Sequence, residues 1–328
     1  MANIVVTGAA GFIGSHTVDR LLKAGHRVWG VDNLRTGRRE NLADAITAGL
    51  QFRKFDVLDS RRWDRLLVGT RIDAIIHLAA LVSVSESIEK PDENFRLNVE
   101  ATHRVAAAAL KHGVKRLVFA SSAAVYGDTK KVPVVESLLP KPISPYGAAK
   151  LASEQLLLGH AAVHGLVVRV QRYFNVFGPR QDPSSPYSGV ISIFLRRFAQ
   201  GEPVTIHGDG RQTRDFVFVA DIAQANMLAA TKPGLESGVA NICTGRQVSL
   251  RELVEGIARF YPNADQPLYG PSRRGDIRHS AGNPRAAKMA LGFSAHASLA
   301  QGLRQMVEAA AVSGQPAPAS GHGRNHKR

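Results

Sequence analysis

Short apolar runs alternate with longer stretches in which apolar residues recur at helical spacing, and this alternation persists through the first half of the chain. The runs Ile4 to Thr7, Arg27 to Val31, Leu50 to Phe55, Ala74 to Leu78, Arg116 to Ala120 and Val167 to Arg172 read as strands. Between them, helices are expected from about Ile13 to Ala24, from Asn94 to His112, and over the segment carrying Tyr146 and Lys150. Alternation at this spacing predicts an α/β protein with a doubly wound parallel sheet joined by right-handed crossovers. After Phe177-Gly178-Pro179 the pattern loses its regularity and becomes rich in Pro, Gly and Arg. A sheet domain over residues 1–178 is therefore expected, then a smaller lobe over mainly 179–312. Part of the chain is expected to return to the sheet at about 214–245, through Phe216 to Val219 and Val239 to Cys243.

Length and composition fit that picture. With 328 residues and a 44% hydrophobic fraction, the chain can build one large α/β unit and a second lobe around a shared cleft. The first strand begins at about Asn3 with no basic segment before it, and its apolar run is too short to span a bilayer, so a cytoplasmic location without membrane attachment is expected. The single cysteine, Cys243, excludes an internal disulfide and leaves too few thiols for a structural zinc site, and no metal is expected. It sits in an apolar run and reads as a buried strand thiol rather than a nucleophile. Lys and Arg total 42 against 27 acidic residues, a formal charge of +15 that favours acidic ligands. The basic residues are scattered, without the interleaved aromatics of a single-strand-binding surface, so nucleic acid is not an expected partner. Residues 313–328 have the composition of a mobile basic tail.

The chemistry enters with two motifs. Gly8-Ala9-Ala10-Gly11-Phe12-Ile13-Gly14 follows the run Ile4-Val5-Val6 and precedes a helical pattern, which lets backbone N–H groups approach a pyrophosphate at a helix N-terminus. Asp32, at the end of the second strand and eighteen residues past Gly14, can accept from both hydroxyls of an adenosine ribose and repel a 2′-phosphate. The cofactor expected is thus NAD, in a Rossmann domain, although Arg35 is placed where a guanidinium would hold that phosphate. Asp56-Val57, at the end of the third strand, sets a carboxylate by the adenine amine, or else Asp56 caps a helix.

The second motif is Tyr146-Gly147-Ala148-Ala149-Lys150. Tyr and Lys four residues apart lie one above the other on a helix face, where the ammonium favours the phenolate, so that a group with a pKa near 10 can act as a base around neutral pH. The run Phe119 to Gly127 ends a strand at the carboxyl edge of the sheet, and Ser122 there can hydrogen-bond a substrate oxygen to complete a proton-transfer set. Ser121 and Ser122 are equally readable as turn hydroxyls bonding their own backbone.

At this point the chain resembles the extended short-chain dehydrogenase/reductases, in their group of NAD-dependent nucleotide-sugar epimerases and dehydratases. The resemblance runs from Asn3 to about Met306. It rests on the glycine loop, His77-Leu78-Ala79-Ala80, Asn98, Ser122 with Tyr126-Gly127, Tyr146 with Lys150, Arg172 to Pro179, Gly208-Asp209-Gly210, Arg214-Asp215-Phe216 and Arg273-Arg274-Gly275-Asp276. It implies that Ser122, Tyr146 and Lys150 are catalytic. It implies cofactor contacts at Gly8, Gly11, Phe12, Ile13, Gly14, Asp32, Asn33, Asp56, Val57, Leu78, Ala79, Ala80 and Asn98, besides Tyr146 and Lys150. For a nucleotide sugar it implies contacts at Ser83, Ser122, Asn175, Gly189, Val190, His207, Arg214, Arg273, Asp276 and Ser280, the two arginines gripping the diphosphate. A homodimer through the helices at about Asn94 to His112 and Tyr146 to His164 is also implied.

Family dehydratases and decarboxylases carry an acid just before the Val-Tyr-Gly element, where this chain has Ala123 and Ala124. An alanine cannot shuttle a proton, so the resemblance favours a bare redox cycle, the 4-epimerisation of a UDP-hexose through a transient 4-keto sugar. Ser280 falls where related enzymes often carry a bulky aromatic that excludes an N-acetyl group, so UDP-GlcNAc and UDP-GalNAc are expected to be admitted beside UDP-glucose and UDP-galactose. Val82 stands where some glucose/galactose epimerases have a lysine, which matches the N-acetylhexosamine or uronate branches better. The alternatives are a UDP-glucuronate 4-epimerase, another nucleotide-sugar dehydratase or decarboxylase, and, from a different class, a non-catalytic NAD-binding sensor.

Overall fold

A computed structural model describes residues 1–182, 189–262, 264–272 and 277–312 of the protein. Six strands alternate with helices in the first half: β1 (Asn3–Thr7), β2 (Arg27–Asp32), β3 (Gln51–Lys54), β4 (Ala74–His77), β5 (Arg116–Ser122) and β6 (Val167–Tyr173). Five more strands follow, β7 (Asn175–Phe177), β8 (Thr205–His207), β9 (Thr213–Arg214), β10 (Phe216–Phe218) and β11 (Gly238–Ile242). The first six and β11 form one seven-stranded sheet in the order β3-β2-β1-β4-β5-β6-β11, with every adjacent pair parallel. The expected return to the sheet is thus made by β11, whereas β10 pairs with β7 in a separate two-stranded sheet. The reason is where its side chains go: Phe216 and Phe218 pack with Phe177 and Phe194 in the core of the second lobe. Three more strands, β12 (Val248–Ser249), β13 (Leu268–Gly270) and β14 (His279–Ser280), complete that lobe's small sheets.

Strand side chains alternate between two cores, as the two-residue period of a strand requires. Ile4 and Val6 face one side with Ile76 and Val118, while Val5 faces the other with Ile75 and Leu117. Burial on both faces is why these strands read as continuous apolar runs. The helices of the first half are α1 (Phe12–Lys23), α2 (Ala43–Thr47), α3 (Ser60–Leu67), α4 (Val84–Glu89), α5 (Pro91–Phe95), α6 (Ala101–Lys111) and α7 (Pro145–His164). Those of the second half are α8 (Val190–Ala199), α9 (Val219–Thr231), α10 (Leu250–Ala258), α11 (Arg285–Leu291) and α12 (Leu299–Val312). α1 and α9 cover one face of the sheet through Val18, Leu21 and Ile222; α3, α6 and α7 cover the other through Trp63, Val105 and Leu157.

Two local features position the site. α7 begins where Ser144 accepts the amide of Gly147 at 3.1 Å and Pro145 takes the first turn, and it ends at Gly165 in the left-handed region. The helix expected from Asn94 starts at Pro91 and is continuous through α5, a π turn at Arg96–Glu100, and α6. The π turn frees the Asn98 carbonyl, which accepts the Thr102 hydroxyl at 2.6 Å and the Ser153 hydroxyl of α7 at 3.0 Å. No helix among the described residues is long and apolar enough to cross a membrane. The tail at residues 313–328 lies outside the described residues.

Candidate active site

A cleft runs along the carboxyl ends of β1, β2, β4, β5 and β6, the edge at which open α/β sheets take their ligands. Its larger lobe, about 900 Å³, is walled by the glycine loop, the ends of β2 and β4, and Tyr146 and Lys150. Its smaller lobe, about 580 Å³, extends over Ala123 and Ala124 toward Arg214 and Ser280. Ser122, Tyr146 and Asn175 line both, so the two lobes meet at the proton-transfer candidates.

The larger lobe has the features a dinucleotide needs. A Cβ on Gly14 would lie 1.9 Å from the Gly8 carbonyl oxygen, so only glycine lets α1 start this close to β1. The N-cap of α1, Gly11, offers no side-chain cap, and no acid occupies the first turn, so its amides point to the cleft as an anion site. Asp32 accepts the Ala10 amide at 3.0 Å through Oδ2 and the Leu34 amide at 2.8 Å through Oδ1. Each oxygen keeps a lone pair for a ribose hydroxyl. Burial pushes the Asp32 carboxyl upward, against the two amides. Asp56 is not a helix cap: Oδ1 accepts the Leu58 amide in a tight turn, Oδ2 accepts Asn33 Nδ2 at 2.9 Å, and Asp59 is the residue that caps α3. Arg35 is held by two carboxylates, Glu86 at 3.0 Å and Glu93 at 2.6 Å.

Lys150 is buried on α7, where its ammonium donates to the Ala120 carbonyl at 2.9 Å and sits 5.9 Å from the centre of the Tyr146 ring. Burial lowers its pKa to about 8, with the carboxylate of Glu154 opposing the shift. Ser122 and Tyr146 line the cleft together, and the Ser122 hydroxyl favours the Tyr146 phenolate. Burial pushes the phenol up from its usual value, and only Ser122 pulls it down; the expected lowering by Lys150 is not found with these side chains alone. Ser122 also accepts the Ala124 amide at 3.1 Å, so its hydroxyl is at once a turn cap and a neighbour of Tyr146. Ser121 turns the other way and donates to Glu154.

Of the other residues singled out from sequence, Phe12, Ile13, Asn33, Asp56, Val57, and Leu78 to Ala80 line the larger lobe, and Arg214 and Ser280 the smaller. Ser83, Gly189 and Val190 line the larger lobe rather than the smaller one, with Ser83 capping α4 through the Glu86 amide. Two lie off the cleft. Asn98 is buried behind it, with Nδ2 donating to the Leu81 carbonyl and to Asn94 Oδ1, and His207 sits in β8 with Nδ1 3.2 Å from the Pro271 carbonyl oxygen. Arg273 and Asp276 lie outside the described residues. Cys243 is buried as expected, but just beyond β11 rather than in the strand, and burial pushes its thiol well up, away from a nucleophile's role.

Residue reasoning missed Glu154, which is fully buried, accepts the Ser121 hydroxyl and, through its two oxygens, accepts Nε and Nη2 of Arg172 at 3.0 and 2.6 Å. It also missed Asp215, whose carboxylate accepts the Thr244 amide and hydroxyl and the Gly245 and Gly282 amides. The spacing Tyr146, Lys150, Glu154, one residue per turn on a single helix face, was the available signal for the first.

Residues 4–243 match the model of the NAD dependent epimerase/dehydratase family. The chain is 40% identical over 306 residues to a UDP-glucose 4-epimerase of Mycolicibacterium smegmatis, covering 93% of this chain and 97% of the relative. It is similar to the structure of a UDP-N-acetylglucosamine 4-epimerase from Methanobrevibacter ruminantium in complex with UDP-N-acetylmuramic acid, with a TM-score of 0.90, 36% identity and coverage of 95% and 99% of the two chains. It is also similar to MoeE5 in complex with UDP-glucuronic acid and NAD, with a TM-score of 0.85, 39% identity and the same coverage.

Proposed function

The chain belongs to the NAD dependent epimerase/dehydratase family, and from that premise we propose that it is a UDP-sugar 4-epimerase that inverts the C4 hydroxyl of UDP-hexoses, including N-acetylated ones. The observation that carries this reading is the pair of cleft lobes meeting at Tyr146 and Ser122, with Ala123 and Ala124 beside them. The glycine loop, the first turn of α1 and Asp32 would hold NAD in the larger lobe. Bound there, NAD supplies a two-electron acceptor that is regenerated within one catalytic cycle.

Tyr146 is the proton-transfer group. It takes the 4-hydroxyl proton as C4 is oxidised to the ketone and returns one when the hydroxyl is re-formed with the opposite configuration. Lys150, pinned to the Ala120 carbonyl, keeps a positive charge behind the phenol, and Ser122 fixes the position of the sugar oxygen. Arg214 and Ser280 lie side by side, paired in register between β9 and β14, which sets a guanidinium for the diphosphate beside a small side chain for the C2 substituent. Ala123 and Ala124, standing where a dehydratase would carry an acid, cannot shuttle a proton, which supports epimerisation over elimination or decarboxylation.

The resemblance to a protein bound to UDP-glucuronic acid favours one second reading, epimerisation of a UDP-hexuronate by the same residues. We place the reaction in the cytoplasm. We also propose a homodimer formed through α6 and α7, whose outer faces expose Ala107, Ala152 and Val163. Proton NMR of the protein incubated separately with UDP-GlcNAc, UDP-glucose and UDP-glucuronate tests the proposal. Growth of the anomeric signal of the 4-epimer from UDP-GlcNAc and UDP-glucose is expected. Conversion of UDP-glucuronate alone would establish the second reading, and conversion of none would overturn both.

A further inference from the structure

Arg35 lies three residues beyond Asp32 and lines the same lobe of the cleft. A free guanidinium there would attract a 2′-phosphate on the adenosine ribose and work against the selectivity of Asp32. The turn that carries it is pinned: Asp32 accepts the Leu34 amide, and Asn33 Oδ1 accepts the Arg35 amide at 3.0 Å. From this fixed backbone the guanidinium reaches α4 and α5. Nη2 donates to Glu86 Oε1 at 3.0 Å, and Nη1 donates to Glu93 Oε1 at 2.6 Å. The other cations near these carboxylates are weaker competitors. Lys90 stands 3.5 Å from Glu86 and Arg96 stands 4.0 Å from Glu93, and both side chains are more than half exposed. Arg35 is the first cause of the low pKa of Glu93.

We propose that Glu86 and Glu93 are cofactor-selecting residues: by engaging both terminal nitrogens of Arg35 they withhold it from a ribose 2′-phosphate and leave the choice of nucleotide to Asp32. The inference rests on the reading of the larger lobe as the NAD site. Glu86 itself lines that lobe, so a 2′-phosphate arriving there faces the carboxylates of both Asp32 and Glu86. Two positions on α4 and α5, remote in sequence from the β2 turn, thereby enforce a selectivity that the turn alone would leave divided.

The test uses the nucleotide that the protein carries. Wild-type protein, Glu86→Gln/Glu93→Gln, the same double variant with Arg35→Ala, and Arg35→Ala alone are each incubated with equal concentrations of NAD and NADP. Each is then passed through a desalting column and denatured, and the released nucleotides are quantified by mass spectrometry. The wild type is expected to retain NAD. The double variant should raise the NADP-to-NAD ratio about tenfold or more, the scale of a charge-assisted contact regained, and adding Arg35→Ala should reverse the gain. Arg35→Ala alone should leave the ratio unchanged, because the guanidinium is already engaged. An unchanged ratio in the double variant, a rise that persists without Arg35, or a changed ratio in Arg35→Ala alone would each overturn the proposal. A wild type that retains neither nucleotide would instead overturn the reading of the lobe itself.

Discussion

Lys150 shows how much a single residue's surroundings matter. Its ammonium lies over the Phe119 ring, 5.0 Å from the ring centre, and donates to the Ala120 carbonyl, and burial brings its pKa to about 8. The ammonium is therefore present below that pH and lost above it, so kcat/KM should fall as pH rises through about 8, a limb that a pH–rate profile reads directly. The same depression means that the folded state binds fewer protons than the unfolded one between about 8 and 10.5, so this residue's unfavourable contribution to stability diminishes as pH rises through that window. Ser280 carries a second prediction at this scale. Ser280→Tyr should reduce turnover of UDP-GlcNAc far more than that of UDP-glucose; parallel losses in a two-substrate assay would refute a role for this position in admitting the C2 substituent. Tyr146 and Lys150 were legible in the sequence because their spacing relates them on one helix, and Asp32 because it ends the strand that follows the glycine loop and its helix. The Arg35 clamp was not, because Glu86 and Glu93 reach it from other elements.

Among the elements, α7 is the most heavily committed. One of its faces presents Tyr146 to the cleft, Lys150 to the end of β5 and Glu154 to the Arg172 fork on β6, so the helix is locked to two strands by polar contacts in a dry interior. Removing one member of such a buried pair strands the other charge. Glu154→Gln should therefore destabilise the fold by about 3–5 kcal/mol, while Glu154→Gln with Arg172→Met should cost much less, as urea denaturation would measure. Because the Glu154 carboxylate raises the Lys150 pKa, the alkaline limb of the pH profile should also move to lower pH in Glu154→Gln. The strands and α7 were legible from periodicity. The π turn at Arg96–Glu100 was not, since a one-residue excess in a helix leaves the apolar repeat nearly intact and shows only in where the Asn98 carbonyl goes.

For the molecule as a whole, the critical join is between the sheet and the second lobe. Asp215 makes it, gathering donors from Thr244 and Gly245 just past β11 and from Gly282 just past β14, while the Arg180 guanidinium reaches Asp19 on α1 at 2.7 Å. Arg214 and Ser280 each sit within two residues of this cluster, so the shape of the smaller cleft lobe depends on it. Asp215→Ala takes the shared acceptor from the Thr244 and Gly245 donors and from the buried Gly282 amide. It should lower the melting temperature and raise KM for the UDP-sugar more than it changes the affinity for NAD, which calorimetry and steady-state kinetics would separate. A matched loss of both affinities would argue against a role confined to the smaller lobe.

The sequence by itself determined the parallel sheet, the glycine loop and the Tyr146–Lys150 pair. Each is written in local periodicity or in the steric needs of one turn, and none of the three needs a distant partner to be read. Tertiary structure decided the rest. It sent β10 into the second lobe because its phenylalanines found their partners there, set Asn98 behind the cleft rather than in it, and closed Arg35 between two glutamates. Such outcomes depend on which side chains meet across long stretches of chain, and residue order alone does not record those meetings.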